Sequence, residues 1–307
     1  MNLRSLEYLV ALAEHHHFRK AAEACFVSQP TLSTQIRKLE RDPGVELVER
    51  NPSGVLLTPA GEAIVARARS ILREADGIRQ IARLHDDPEA ASLRLGIFPT
   101  LAPYVLPHVM APLRERFPRL QLMLAEEKSD VLVQQIHDGR LDVALLATPI
   151  VDRGLHEELL FDEEFVLAVP SGHPLAGRGS VPITVLADET ILLLDEGHCL
   201  RDQALSVCHL AGASERDGFR ATSLETLRHM VASGAGVTLL PRLAVSPPVP
   251  AWDDIEIVEL GPPRPSRQIA MYWRSSSPFG EFLPRVAEVF REMPDRLVRP
   301  LGGARDA

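Results

Sequence analysis

The chain has 307 residues, three cysteines and a net charge of -9. So few cysteines exclude a secreted disulfide scaffold, and no segment approaches the roughly 18 consecutive apolar residues of a membrane span. The length allows two domains, or three small ones, and the reading is of a cytoplasmic protein with no membrane contact.

Acidity is unevenly shared. Residues 1–87 hold 12 Lys/Arg against 12 Asp/Glu, whereas the remainder holds 21 against 30. A nucleic-acid partner would therefore have to be met by placed basic side chains, not by a bulk positive field.

Leu3, Leu6, Leu9-Val10 and Leu12-Ala13 predict a first helix with one apolar face. Phe18 to Cys25 predicts a second, in which Ala21-Ala22 allow close helix approach and Cys25 is read as packing. Val27 to Pro30 supplies a turn, with Pro30 suited to the first turn of a new helix. That third helix, Thr31 to Arg41, is expected to bury Leu32, Ile36 and Leu39. It would expose Thr31, Ser33, Thr34, Gln35, Arg37 and Lys38, an outer face of short polar and basic groups. This is helix–turn–helix anatomy, although a plain helical bundle with a polar surface would share the pattern. His15-His16-His17 are adjacent and do not share a helix face, so no metal site is expected there.

From Gly61 to about Leu84, Ile64, Ala68, Ile71, Ala75, Ile78 and Ala82 recur at four and three residues. Such a seam suits either a dimer partner or packing on the helix's own domain, and three heptads favour the partner. His85 to Glu89 is polar and ends the helix at Pro88: a linker.

Beyond Ala91 strands and helices alternate. Strands are expected at 92–97, 120–125, 141–147, 164–169, 190–194, 218–221, 236–240 and 267–273. Helices are expected at 103–116, 130–138, 224–232 and 278–292. This rhythm predicts an α/β fold with a mostly parallel sheet and a ligand cleft between two lobes. No Gly-x-Ser-x-Gly elbow, P-loop or Cys-x-x-Cys pair occurs.

Leu194 to Cys208 holds two of the three cysteines. Gly197 can break the preceding strand, and Leu200, Ala204, Val207 and Leu210-Ala211 then repeat at helical spacing. Cys199 would lie in the first turn, where free N–H groups favour a thiolate, helped by His198 and Arg201 and opposed by Asp195 and Glu196. Cys208 follows nine residues later, about 13.5 Å along a continuous helix. A disulfide needs Cα atoms within roughly 7 Å, so the two could join only if the helix unwinds. Two inert buried thiols are the plainer alternative.

Two sets of motifs resemble LysR-type transcriptional regulators. The first is Leu6 to Glu14, Ala21-Ala22, Ser28-Gln29-Pro30-Thr31-Leu32-Ser33 and Gln35 to Glu40. The second, Gly197 to Ala204 with Cys208 and Phe219 to Arg228, resembles that family's peroxide-responsive members. The resemblance implies an N-terminal winged helix–turn–helix domain (1–60), a dimerisation helix and hinge (61–88) and a two-lobed, periplasmic-binding-protein-like effector domain (89–307). Lobe I would take about 89–161 and 268–307, lobe II about 162–267.

It further implies that Arg4, Ser28, Gln29, Pro30, Thr31, Ser33, Gln35, Arg37, Lys38 and Arg50 serve DNA binding, with the wing between Leu47 and Gly61. Asp42-Pro43-Gly44 departs from the family pattern ahead of that wing. Ile64, Ala68, Ile71, Ala75 and Ile78 would serve dimerisation. Cys199 and Cys208 would be redox-active, with Thr100, Ser129, His198, Asp202 and Arg267 placed about the thiol and peroxide. Ser129 stands where the family has Thr, and Thr100 could instead be a helix cap. The implied partners are promoter DNA, hydrogen peroxide, RNA polymerase, a thiol reductant and further copies of the chain, as homodimers forming a homotetramer. No cofactor, metal or catalytic turnover is implied. A family member binding a small organic anion, and a thiol peroxidase, are the competing readings.

Overall fold

In the computed structural model, residues 1–51, 54–86, 92–211 and 220–300 are described. They fall into two compact units, Met1–Asp86 and Asp87–Ala307.

In the first unit, α1 (Leu3–His15) opens with a capping box. Asn2 Oδ1 accepts from the Ser5 amide at 2.8 Å, and Ser5 Oγ accepts from the Asn2 amide at 3.2 Å. α2 (Phe18–Ala24) ends one residue early, leaving Cys25 as its cap, partly buried against the core. α3 (Gln29–Arg41) begins two residues earlier than the periodicity suggested. The reason is local: Ser28 Oγ accepts from the Thr31 amide, and Pro30 occupies the first turn, where its missing N–H costs nothing.

The Asp42-Pro43-Gly44 departure forms a compact exit. Gly44 takes a positive φ of 72°, and the Val45 amide donates to the Glu40 carbonyl. Glu40 Oε1 accepts from the Leu47 and Val48 amides at 3.1 and 3.4 Å, fastening α3 to the hairpin of β1 (Val48–Asn51) and β2 (Gly54–Leu57). At Gly61 an added Cβ would fall 2.1 Å from the Leu47 carbonyl oxygen, so this close approach requires glycine.

α4 (Pro59–Asp86) lies against α1, and this corrects the expected seam. Ala68 is buried with Val65 in the unit's own core, and Ile64 and Leu72 pack against that core. Ile71 and Ile78 are exposed, at 41% and 70%. The first turns of α4 therefore follow the neighbouring α1, and among the described residues of the seam the later isoleucines, Ile71 and Ile78, are the exposed ones. Ala82 has no described side chain.

In the second unit β3 (Ser92–Ile97), α5 (Ala102–Arg116), β4 (Gln121–Glu126), α6 (Ser129–His137) and β5 (Val143–Ala147) form parallel crossovers in the order β4-β3-β5. The rest corrects the mostly parallel sheet. β6 (Leu155–Pro170) is 16 residues long, roughly 50 Å at about 3.3 Å per residue. After it come β7 (Ser180–Val181), β8 (Leu193–Leu194), α7 (Cys199–Leu210), β9 (Arg220–Ala221), α8 (Leu224–Ala232), β10 (Thr238–Pro241) and β11 (Ile255–Leu260). β12 (Ser266–Arg274), α9 (Leu283–Arg291) and β13 (Arg299–Pro300) complete the chain's described elements.

β6 pairs antiparallel with β10, β11, β12 and β13, and β12 pairs antiparallel with β5. One long outgoing strand and one returning strand lie side by side, and neighbours running in opposite senses must pair antiparallel. Phe161–Asp162 and Arg267–Gln268, the anticipated lobe boundaries, fall inside β6 and β12, beside an irregularity at Ile269/Ala270.

Candidate functional site

α7 starts where β8 stops. Gly197 at φ 85° turns the chain, and the Lys128 ammonium donates to the Glu196 carbonyl at 3.0 Å. His198 is the N-cap residue and makes no side-chain cap bond, so Cys199 is the first helical residue. Its thiol is free and partly exposed. With Ser129, Asp202 and Arg267 it lines a cleft of about 920 Å³.

Arg267 is held from three sides. Its Nε donates to Glu163 Oε2 at 2.8 Å, Nη1 to Thr100 Oγ1 at 3.1 Å and Nη2 to the Thr100 carbonyl at 2.9 Å. Its guanidinium also lies 5.2 Å from the centre of the Phe98 ring. Glu163 is wholly buried, and its other oxygen accepts from the Leu243 amide at 3.0 Å. A buried charge with this many fixed partners is pre-oriented and has no rotamer freedom left to lose. Thr100 accordingly caps no helix: the N-cap of α5 is Leu101, and no side chain caps it.

Burial pushes the Cys199 thiol above its ordinary pKa. Against that act the charge of Arg267, the Ser129 hydroxyl and the Leu200 amide, whereas Asp202 adds to the rise. Ser129 Oγ is buried next to the sulfur with no nitrogen or oxygen partner among the described residues.

Three expectations are corrected. Arg201 does not face the thiol; it is buried and donates to the Leu194 carbonyl at 3.2 Å, completing the turn beneath the helix. His198 is held below its usual pKa by burial and by Lys128, which makes it a neutral neighbour and not a cationic one. Leu210 is 82% exposed, because the helix ends there and its side chain passes the edge of the core.

Cys208 lies on the inward face of α7, 2% exposed, and burial pushes its thiol up to about 11. It does not line the cleft. The two cysteines therefore belong to one unbroken helix, about 13.5 Å apart along its axis. Glu163 and Lys128 were missed from sequence. Glu163 left no distinguishing signal, being the middle of three consecutive carboxylates, Asp162-Glu163-Glu164, between Phe161 and Phe165.

On the first unit, Ser28, Gln29, Pro30, Thr31, Arg37 and Lys38 are exposed at the start and along one side of α3, with Gln35 partly covered. Ser33, expected on that face, is instead 8% exposed. It sits one residue after Leu32 and three before Ile36, at the edge of the buried stripe. Arg4 is exposed and donates from Nε to Tyr8 Oη at 2.9 Å. The Arg50 side chain lies outside the described residues.

Two family models match the chain: bacterial regulatory helix-turn-helix protein, lysR family, over residues 3–62, and LysR substrate binding domain over residues 86–294. The DNA-binding transcriptional dual regulator OxyR of Escherichia coli K12 is 47% identical over 295 residues, 96% of each chain. The chain belongs to the LysR family, in its OxyR branch. Full-length OxyR C199D from Pseudomonas aeruginosa is similar in structure, with a TM-score of 0.80 and 39% identity over 98% of this chain and 97% of that one. The crystal structure of the oxidized form of OxyR covers 66% of this chain and 94% of its own, with a TM-score of 0.58 and 43% identity.

Proposed function

We propose that this chain is a DNA-binding transcriptional regulator that senses hydrogen peroxide through Cys199 and controls oxidative-stress defence genes. The observation that carries the proposal is a free, partly exposed thiol at the start of α7, facing a cleft beside a buried, fully oriented arginine. The Cys199 thiolate attacks one peroxide oxygen, the O–O bond breaks, and the departing hydroxide takes a proton to become water. Arg267 offers positive charge to both the thiolate and the leaving oxygen, and it cannot itself lose a proton. Ser129 supplies a hydroxyl beside the sulfur, and Thr100 acts through the Arg267 guanidinium that its hydroxyl accepts from.

The sulfenic acid is resolved by Cys208. Its thiolate attacks the Cys199 sulfur, the S–O bond breaks, and the oxygen leaves as water, giving the Cys199–Cys208 disulfide. α7 must unwind for that bond to close. Loss of the helix alters the effector domain's surface and so the arrangement of paired copies on DNA. We assign dimerisation to the exposed stripe of α4 and groove contact to α3, with the dimers assembling as a tetramer in the cytoplasm. RNA polymerase reads the rearranged complex, and a thiol reductant resets it. Among the described residues no helix is long and apolar enough to cross a membrane.

Peptide mapping after one equivalent of peroxide tests the chemistry. An intramolecular Cys199–Cys208 link is expected. Modification confined to Cys25, or bridges only between chains, would remove the switch. Reversible binding of a small organic anion instead would leave the response intact in Cys199→Ser.

A further inference from the structure

The turn between α2 and α3 is closed by a Schellman motif, and the residue at its bend is Phe26. The Phe26 amide donates to the Glu23 carbonyl at 3.1 Å, and the Val27 amide to the Ala22 carbonyl at 3.0 Å. Phe26 takes a φ of 56° there, the left-handed conformation that this motif usually gives to glycine or asparagine. A bulky side chain is strained in that conformation. The ring gains no packing in return: Phe26 is 95% exposed, beyond any other large apolar side chain described in the first unit. Val27, the next residue, turns inward and packs against the core. The fold needs Val27 and a left-handed backbone at position 26, and it has no use for the aromatic ring.

The setting of Phe26 supplies a use. Two residues on, Ser28 is the N-cap of α3, and Gln29, Pro30 and Thr31 are exposed in the first turn. In a helix–turn–helix the start of the second helix meets base edges in the major groove. Those edges carry hydrogen-bonding groups, and the apolar group among them is the 5-methyl of thymine. A phosphate oxygen needs a donor or a positive charge, and an uncharged ring side chain has neither. We propose that Phe26 reads a thymine, its ring packed on the 5-methyl group at the margin of the sequence that α3 contacts. The inference rests on α3 as the groove element, and it adds one apolar, sequence-reading contact to that polar and basic surface. It also accounts for a strained, solvent-exposed aromatic residue where glycine would suit the fold better.

The test uses the full-length reduced protein and a duplex that the wild type selects from a random-sequence pool. Each thymine of that duplex is replaced in turn by deoxyuridine, which removes the methyl group and nothing else. The wild type should lose about fivefold in affinity at one thymine position. Phe26→Gly should bind the unmodified duplex about fivefold less tightly and be indifferent to deoxyuridine at that position. Its melting midpoint should stay equal or rise, because glycine adopts the left-handed conformation without strain. Unchanged affinity in Phe26→Gly would overturn the proposal. So would a lowered melting midpoint, which would make the ring a support of the fold. Equal deoxyuridine penalties in both proteins at every thymine would overturn it too, since a ring resting on deoxyribose does not sense the methyl group. A wild type that selects no duplex would overturn the groove reading of α3, and this proposal with it.

Discussion

At Cys199, burial and charge pull in opposite directions. Desolvation raises the thiol's pKa, and Arg267, Ser129 and the Leu200 amide each draw it back. Removing Arg267 would leave burial unopposed by any full charge, so Arg267→Met should slow peroxide oxidation and move its pH dependence upward. Stopped-flow oxidation across pH checks this, and an unchanged profile would mean that Arg267 acts only in packing. Thr100 acts through the same guanidinium. Thr100→Val keeps the branch but removes the Oγ1 acceptor of the 3.1 Å bond from Nη1. One such bond is worth on the order of 1–3 kcal/mol, or about 5- to 150-fold in rate if it is felt in the transition state. The same stopped-flow assay beside a denaturant melt separates the outcomes: lowered stability with an unaltered rate would take Thr100 out of the reaction.

Cys208 gives a prediction in pH. Its folded pKa of about 11 lies above the ordinary value of 9.0. The folded state therefore holds the proton more tightly, and the stabilisation this brings is full below pH 9 and lost as pH rises toward 11. By pH 10.5 the loss should reach about 2 kcal/mol. In denaturant melts, the stability difference between wild type and Cys208→Ala should shrink by that order between pH 8 and 10.5. A difference that stays constant would place Cys208 in contact with solvent.

Elements show where a sequence can and cannot be read. α8 could be bounded from its apolar spacing because Ser223 caps its start through the Thr226 amide, a purely local event. α3 could be recognised but not its buried edge, since whether Ser33 is covered depends on the helices beside it. The outgoing and returning strands were harder. Periodicity reports which residues face a core, and it carries no direction, so antiparallel β6 and β12 resemble further parallel strands. Glu163 was invisible as a site residue because its meaning lies in Arg267, 104 positions away. α7 could be read as a helix with both thiols aboard, and that joint placement carries the switch. Hydrogen exchange after oxidation should show the amides of 200–210 losing protection while those of α8 keep theirs. Retained protection across α7 in a protein with the disulfide mapped would refute unwinding.

For the whole molecule the question is how an acidic chain holds DNA. The first 87 residues balance their charges, and the excess acid lies beyond them. Affinity must then come from a few placed cations on each copy, doubled by pairing two copies on adjacent half-sites. Pairing should depend on the part of α4 that its own unit leaves uncovered. Ile71 is 41% exposed, so Ile71→Glu places charge on the outer stripe without entering the core. Weaker dimers, weaker DNA binding and an unchanged melt of the N-terminal unit are expected. Ala68 is 1% exposed in the core with Val65 and Leu9, so Ala68→Glu should instead unfold that unit. The contrast between one turn of a single helix and the next distinguishes an interface from a core. Sedimentation finding a wild-type oligomer in Ile71→Glu would take the exposed stripe of α4 out of the assembly and leave the effector domain to pair the copies.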